Sequence, residues 1–344
     1  MTEAAALHAQ TLTLDSHIDI PWPNGADPFT ATDRHVDLPK MAAGGLWAGC
    51  FVAFVPQTAT TQAACQEATD RALAMLEVIN AMGTTRNGIT ARICATAAEV
   101  EAAYAAGARA IIPAVENGHA IGSNLKNLET FRQAGVIYIT LSHNGHNLLA
   151  DSCNPRRDLG DEPTLHGGLS ALGREAIAEM NRLGILVDVS HLSRDSMLQA
   201  AEISAVPVVA THSCVTSLCD HPRNLDDHQL DVLKATGGLV QITAMPPFLR
   251  ARGRSDTVGV GEFCDHVDYV VRRIGLPYCG ISSDFDGGGA IVGWKHAGES
   301  LNITTELVRR GYTATDLAAL WGGNFLARMR AAEAHAQAPA IAAQ

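Results

Sequence analysis

Eight apolar runs recur along the chain, at residues 11–19, 45–55, 109–117, 136–143, 184–191, 207–213, 238–245 and 278–286. Most are continuous rather than alternating, the pattern of strands covered on both faces. Helical spacing fills the intervals. Residues 170–182 place Leu172, Ala176, Met180 and Leu183 on one face, with Ser170 as N-cap and Gly184 as the stop. Residues 226–236, 260–274 and 299–310 read the same way, and Thr313 with Asp316 forms a capping-box-like start to a last helix. Strand and helix alternating eight times predict an α/β fold, a (β/α)8 TIM-type barrel. Region 56–108 is longer than one loop and one helix require. It is expected to be an insertion after the second strand, with an Ala-rich helix near 59–82, a short ARICA segment and a second helix near 96–106. No linker or repeat interrupts the pattern, so residues 1–344 are expected to form one domain, its core at about 11–330 and a frayed tail at about 332–344.

The ends of the runs carry the chemistry. LTLDSHID closes on His17 and Asp19, AIIPAVE on Glu116, VIYITLSH on His143, ILVDVSH on His191, VVATHS on His212 and YCGISSD on Asp284. A β/α barrel keeps its active site at the C-terminal ends of its parallel strands. On a strand, residues two apart share a face, so His17 and Asp19 converge. Glu116 ends an otherwise apolar run, where a carboxylate is costly unless it is paired or bound to a metal. A Glu can bridge two ions through its two oxygens, and two-metal hydrolytic sites hold their ions roughly 3.5–4 Å apart. His191 and His212 end consecutive strands. Each alone reads as a core or loop histidine, whereas together they supply two imidazoles to one ion. Asp188 and Asp15, just upstream of ligand candidates, are placed either to orient those rings or to make structural hydrogen bonds. Asp284 suits proton transfer next to a metal-activated water. Asp286 is expected to cap a turn with the glycines after it.

Composition narrows the class. The chain is 47% hydrophobic with a formal charge of −11, and basic residues occur in runs no longer than pairs, such as Arg156-Arg157. That balance argues against nucleic acid or an anionic membrane as partner. Eight cysteines include no CxxC pair, which fits reduced structural thiols and a cytoplasmic protein. Cys214, two residues after His212, is the one cysteine near the expected site, although thiolate ligands usually come in clusters. The opening MTEAAALHAQ has neither the basic nor the apolar segment of a signal peptide, and the Ala-rich close does not suit a lipid-anchor tail. No apolar stretch of about 18 residues suggests a membrane span.

With these residues in order, the chain resembles the membrane (renal) dipeptidase family of binuclear zinc peptidases, within the amidohydrolase-type barrels. The motifs are DSHIDIPW, VDLPKMAAGGLWAG, VENGH, YITLSHN, VDVSHLS, ATHS, the Arg of HPRNLDD and SSDFDG, spread from about residue 11 to residue 330. The resemblance implies two Zn2+ ions, bridged by Glu116 and a hydroxide. His17 and Asp19 would complete one site, His191 and His212 the other. It implies Asp284 as general acid/base, His143 as oxyanion or substrate-binding group, and Arg223 as partner of the substrate's C-terminal carboxylate, a role suited to a guanidinium fork. The implied reaction is hydrolysis of L-Xaa-L-Xaa dipeptides, extending to L-Xaa-D-Xaa, with a homodimer as the implied assembly. The competing reading is a barrel metallohydrolase acting on a lactam, an N-acyl amino acid or a cyclic amide. A departure stands at Gly145, two residues after His143, where mammalian relatives carry a disulfide cysteine. Loops 21–35 and 144–166 are expected to line the pocket.

Overall fold

The computed structural model describes residues 2–20 and 25–337. Eight parallel strands form the barrel wall: β1 (Leu14–Asp19), β2 (Ala48–Phe54), β5 (Arg109–Glu116), β6 (Tyr138–Thr140), β7 (Leu186–Asp188), β8 (Val209–Ser213), β9 (Leu239–Thr243) and β10 (Cys279–Ser282). They are hydrogen-bonded in the order β1-β2-β5-β6-β7-β8-β9-β10. The seam between β10 and β1 is closed just beyond β10. Asp284 N–H donates to His17 O at 3.1 Å, and Asp19 N–H donates to Phe285 O at 3.0 Å. Below that, Asp15 Oδ1 accepts from the amides of His17 (3.2 Å) and Ser283 (2.9 Å).

Helices cover the outside and bury their apolar faces against the strands. Helix Ala171–Leu183 starts at Ser170, whose side chain accepts from Gly173 N–H, and stops at Gly184 in the left-handed region at φ 71°. Helices Asp227–Thr236, Val260–Arg273 and Leu301–Arg309 match their expected positions to within two residues at each end. The Thr313–Asp316 capping box is formed. The last helix runs to Gln337, with Met329 and Ala332 buried. The frayed tail expected from 332 therefore does not begin there, because that face of the helix is packed. Residues 338–344 lie outside the described residues.

The expected insertion is present, and one expectation about strand length needs correcting. The region after β2 contains helix Gln62–Ala81, a hairpin of β3 (Thr85–Arg86) with β4 (Ile89–Ile93), and helix Ala97–Ala105. It is joined to the barrel wall, because β4 pairs in parallel with the start of β5. The runs at 136–143 and 184–191 are also much longer than the strands they contain. Their outer halves leave the wall as loops, and only Asp188 and Val209 are paired between β7 and β8.

The register slips twice, and each slip falls at a candidate ligand. From Asp15 to Ile18, β1 advances three residues while β2 advances two, from Gly49 to Phe51. From Ala210 to Ser213, β8 gains one residue on β9 in the same way. An extra residue re-aims the side chains beside it. This lets the adjacent residues Thr211 and His212 both bond within the barrel.

Gly173 marks a close approach of helix to loop, since a Cβ there would sit 2.0 Å from Leu149 O. Gly173→Ala is expected to destabilise by about 1–3 kcal/mol. Gly261→Ala, at a helical position where a Cβ meets nothing within 4 Å, should be neutral or stabilising by roughly 0.5–1 kcal/mol. Urea unfolding of both variants checks the contrast.

Candidate functional site

Glu116, the last residue of β5, is 3% exposed and sits at the centre of the barrel mouth. Its Oε2 lies 3.6 Å from His17 Nε2. Its Oε1 lies 3.1 Å from His191 Nε2 and 3.3 Å from His212 Nε2. His17 Nε2 is also 3.9 Å from Asp19 Oδ2. Three groups converge with ligand atoms within 4.8 Å of one another: His17–Glu116–His212, Glu116–His143–His191 and His17–Asp19–Asp284. All seven strand-end candidates thus belong to one cluster. His17, Asp19, Glu116 and His212 lie within strands. His143, His191 and Asp284 lie on the loops just past β6, β7 and β10, and both His191 (φ 67°) and Asp284 (φ 59°) adopt left-handed backbone.

Backing groups orient two of the rings. His17 Nδ1 is 3.0 Å from Tyr138 Oη, and His212 Nδ1 is 2.9 Å from Thr211 Oγ1. Thr211 Oγ1 donates to Asp188 Oδ2 at 2.7 Å, so Asp188 reaches His212 through a hydroxyl. Asp15 touches no ring and instead ties the barrel seam. Asp286 accepts from the amides of His35 (2.9 Å) and Val36 (3.1 Å) and pairs with Arg34 at 3.0 Å. It therefore anchors the 34–36 segment instead of capping the glycines that follow it. Cys214 is buried, and its thiol donates to Thr243 O, so it points away from a ligand role. All eight cysteines are free.

The electrostatics fit cation binding. Burial lowers the pKa of His191 and His143, and burial with the charge of His17 brings His212 down to about 3. These rings are neutral, as ligands must be. Burial opposes charge on His17 as well, but the carboxylates of Glu116, Asp19 and Asp284 push it up to about 10. Burial raises Asp284 to about 7 against the pull of His17, and burial with the charge of Glu116 raises Asp19. Burial opposes charge on Glu116 too, but His17 and His143 hold it well below the usual carboxylate range, so Asp19 and Asp284 are the two carboxylates short of positive charge. His17 Nε2 is buried without a hydrogen-bond partner, being too far from Glu116 for one. The donor set of imidazoles and carboxylates, with this orphaned nitrogen at its centre, fits a divalent metal such as zinc.

A cavity of about 540 Å3 opens above the cluster. Its lining includes Asp19, Glu116, His143, His191, Arg223 and Asp284. Arg223 is 4% exposed, and its guanidinium donates to His212 O at 3.0 Å and stacks 5.3 Å from the Phe248 ring. Its Nε has no hydrogen-bond partner among the described residues. Loop 144–166 contributes Asn144 and Asn154 to the wall. Residues 21–24 of the other expected loop, including Pro21 and Trp22 of the first motif, lie outside the described residues. Sequence reasoning missed Tyr138, Thr211 and Gly287, and also Phe54, Arg71 and Met75 on the cavity wall. The glycines of SSDFDGGG were the one visible hint, since a run of Gly after an acid signals close backbone approach.

The chain matches the profile of "Membrane dipeptidase (Peptidase family M19)" over residues 1–341. Dipeptidase verJ of Clonostachys rogersoniana is 30% identical over 348 aligned positions, covering 97% of this chain and 87% of that protein. The matched region spans only about half the length of other curated dipeptidases, 49% and 52% in two fungal cases. Among solved structures, the probable dipeptidase PvdM of Pseudomonas aeruginosa superposes with a TM-score of 0.91 at 28% identity, covering 96% of this chain and 98% of that one. A metallo peptidase from Rhodobacter sphaeroides, liganded with a phosphinate mimic of the dipeptide L-Ala-D-Ala, superposes at 0.80 with 26% identity, covering 94% and 99%. No helix among the described residues is long and apolar enough to cross a membrane.

Gly287 brings backbone against the cluster. A Cβ there would lie 2.0 Å from Asp19 Oδ2 and 2.5 Å from Asp284 Oδ1. Gly287→Ala is expected to keep the fold by circular dichroism but lose about 10²-fold in turnover, the scale of a misplaced catalytic group. Parent-like kinetics would show that the two carboxylates need no such clearance.

Proposed function

Because the chain belongs to the membrane dipeptidase family, we propose that it is a metal-dependent dipeptidase, with His17, Asp19 and Glu116 holding one divalent cation and Glu116, His191 and His212 a second. Zinc suits this donor set. When bound, the ions supply Lewis acidity toward the scissile carbonyl and acidify the attacking water. The chain's own residues do the rest. Arg223 holds the substrate's C-terminal carboxylate with its guanidinium fork. His143, neutral and on the cavity wall, donates N–H to the carbonyl oxygen as negative charge develops there. Asp284 takes the proton of the attacking water and delivers it to the departing amine.

The observation that carries this reading is Arg223. A buried guanidinium with an unpartnered Nε faces the same cavity as the imidazole–carboxylate cluster. A lactam or an amide without a free carboxylate would leave that charge unpaired in the complex, at a cost of several kcal/mol. Arg223 thus disfavours amides without a carboxylate, and the family match favours dipeptides over N-acyl amino acids, which keep that carboxylate. The Rhodobacter structure's ligand, a mimic of L-Ala-D-Ala, supports extending the class from L-Xaa-L-Xaa to L-Xaa-D-Xaa.

The test is a panel of L-L, L-D and D-L dipeptides, with N-acyl amino acids and lactams alongside, offered to the zinc-loaded protein. Cleavage is expected only with free-carboxylate dipeptides. Turnover of a lactam or cyclic amide with none of dipeptides would overturn the reading. Asp284→Asn is expected to retain bound metal while losing about 10²–10⁴-fold in kcat; a normal rate would place proton transfer elsewhere. Arg223→Ala should act mainly on KM for dipeptides, and an unchanged KM would remove the carboxylate clamp.

A further inference from the structure

We propose that the hydroxyls of Tyr138 and Thr211 are positioning groups that hold His17 and His212 as Nδ1–H tautomers, keeping both Nε2 lone pairs free for metal. The proposal rests on the preceding reading that these two histidines are ligands, and goes beyond it by assigning what makes them competent.

Proton bookkeeping carries the argument. Tyr138 is fully buried, with Oη 2.8 Å from Ser16 O and 3.0 Å from His17 Nδ1. A carbonyl only accepts, so the single phenol proton goes to Ser16. The phenol oxygen can then only accept from the ring, and Nδ1 must carry the hydrogen. Thr211 repeats the arrangement with different chemistry. Its hydroxyl is 2.7 Å from Asp188 Oδ2 and 2.9 Å from His212 Nδ1. Asp188 is already an acceptor for Thr140 Oγ1 (2.6 Å), Ser190 N–H (3.0 Å) and Thr211 N–H (3.1 Å). The threonine proton therefore goes to Asp188, and His212 donates from Nδ1.

The consequence lies on the other side of each ring. With Nδ1 carrying the hydrogen, each ring in its neutral, metal-binding form presents an Nε2 lone pair to Glu116, from 3.6 Å and 3.3 Å. Acceptor facing acceptor is repulsive in a buried site. One shared proton relieves one of the two contacts, whereas cations between them relieve both. Without the hydroxyls, either ring is free to move its hydrogen to Nε2 and bond Glu116 directly. That internal hydrogen bond closes the site and competes with metal. A ligand histidine's other nitrogen commonly has such a backing partner, and losing one typically costs 10–100-fold in affinity.

The experiment is zinc affinity of the full chain by competition with a chelator of known strength, with folding checked by thermal unfolding in excess chelator. Tyr138→Phe and Thr211→Val are each expected to weaken zinc binding about 10–100-fold. Thr211→Ser, which restores the hydroxyl, should return to within about twofold of the parent. Thr243→Val removes a hydroxyl that is buried and unpartnered in the same barrel and should leave affinity unchanged. Nitrogen NMR of the zinc-loaded protein should show Nδ1 protonated in both rings. Parent-like affinity in Tyr138→Phe and Thr211→Val, or a Thr211→Ser variant as weak as Thr211→Val, would overturn the proposal. If Tyr138→Phe fails to fold, the Thr211 pair decides. Failure of the underlying metal reading shows separately, as an unmodified protein that binds no zinc. Failure of the dipeptide reading leaves these affinities untouched.

Discussion

The buried carboxylate of Glu116 is the group around which the rest of this molecule is arranged. An ionised carboxylate at 3% exposure costs several kcal/mol unless charges or metals compensate it. Its partners come from β1, from β8 and from the loop after β7, strands that are distant in sequence and meet only when the barrel closes. That closure runs through the site itself, since the hydrogen bonds sealing β1 to the segment after β10 involve His17, Asp19 and Asp284. Barrel integrity and ligand geometry are therefore one problem, and Asp15, which bonds amides on both sides of the seam, serves both.

Backbone strain concentrates in the same place. Asn117, His191, Asp284 and Asp286 all have positive φ, at roughly 1–3 kcal/mol each for residues other than glycine. Each is held by surrounding bonds. Asn117 donates to Val55 O and Gln57 Oε1, and its own oxygen accepts from Asn147. The carbonyl of His191 accepts from Cys153 N–H. Asp286 is fixed by Arg34 and two amides. The strain turns side chains that ordinary strand geometry would splay apart toward one point, and the surrounding hydrogen bonds make that arrangement rigid before any ligand arrives.

The charge layout separates two tasks. Around Glu116, negative charge outweighs positive, which attracts cations. At the cavity wall, Arg223 is a buried cation supported by His212 O and the Phe248 face, which attracts a carboxylate. In the proposed reading, the free carboxylate of a dipeptide meets the guanidinium, where a longer chain would place an uncharged amide.

The sequence by itself determined the strand–helix alternation and the identity of nearly every group in the cluster. Short continuous apolar runs rich in β-branched residues read as strands buried on both faces, and polar side chains at their ends stand out against that background. Arg223 was legible only through its motif, because nothing local distinguishes a buried arginine from a solvated one. Tertiary structure alone decided the rest. The register slips in β1 and β8 arise from pairing between strands and leave no local signature. The left-handed turns at His191 and Asp284 violate local preference and are held by long-range bonds. Tyr138 read as one more apolar strand residue, and Thr211 as an ordinary β-branched one; they reveal themselves only when Ser16 and Asp188 come into hydrogen-bonding range. Periodicity is a property of neighbours in the chain, whereas a proton's direction depends on neighbours in space.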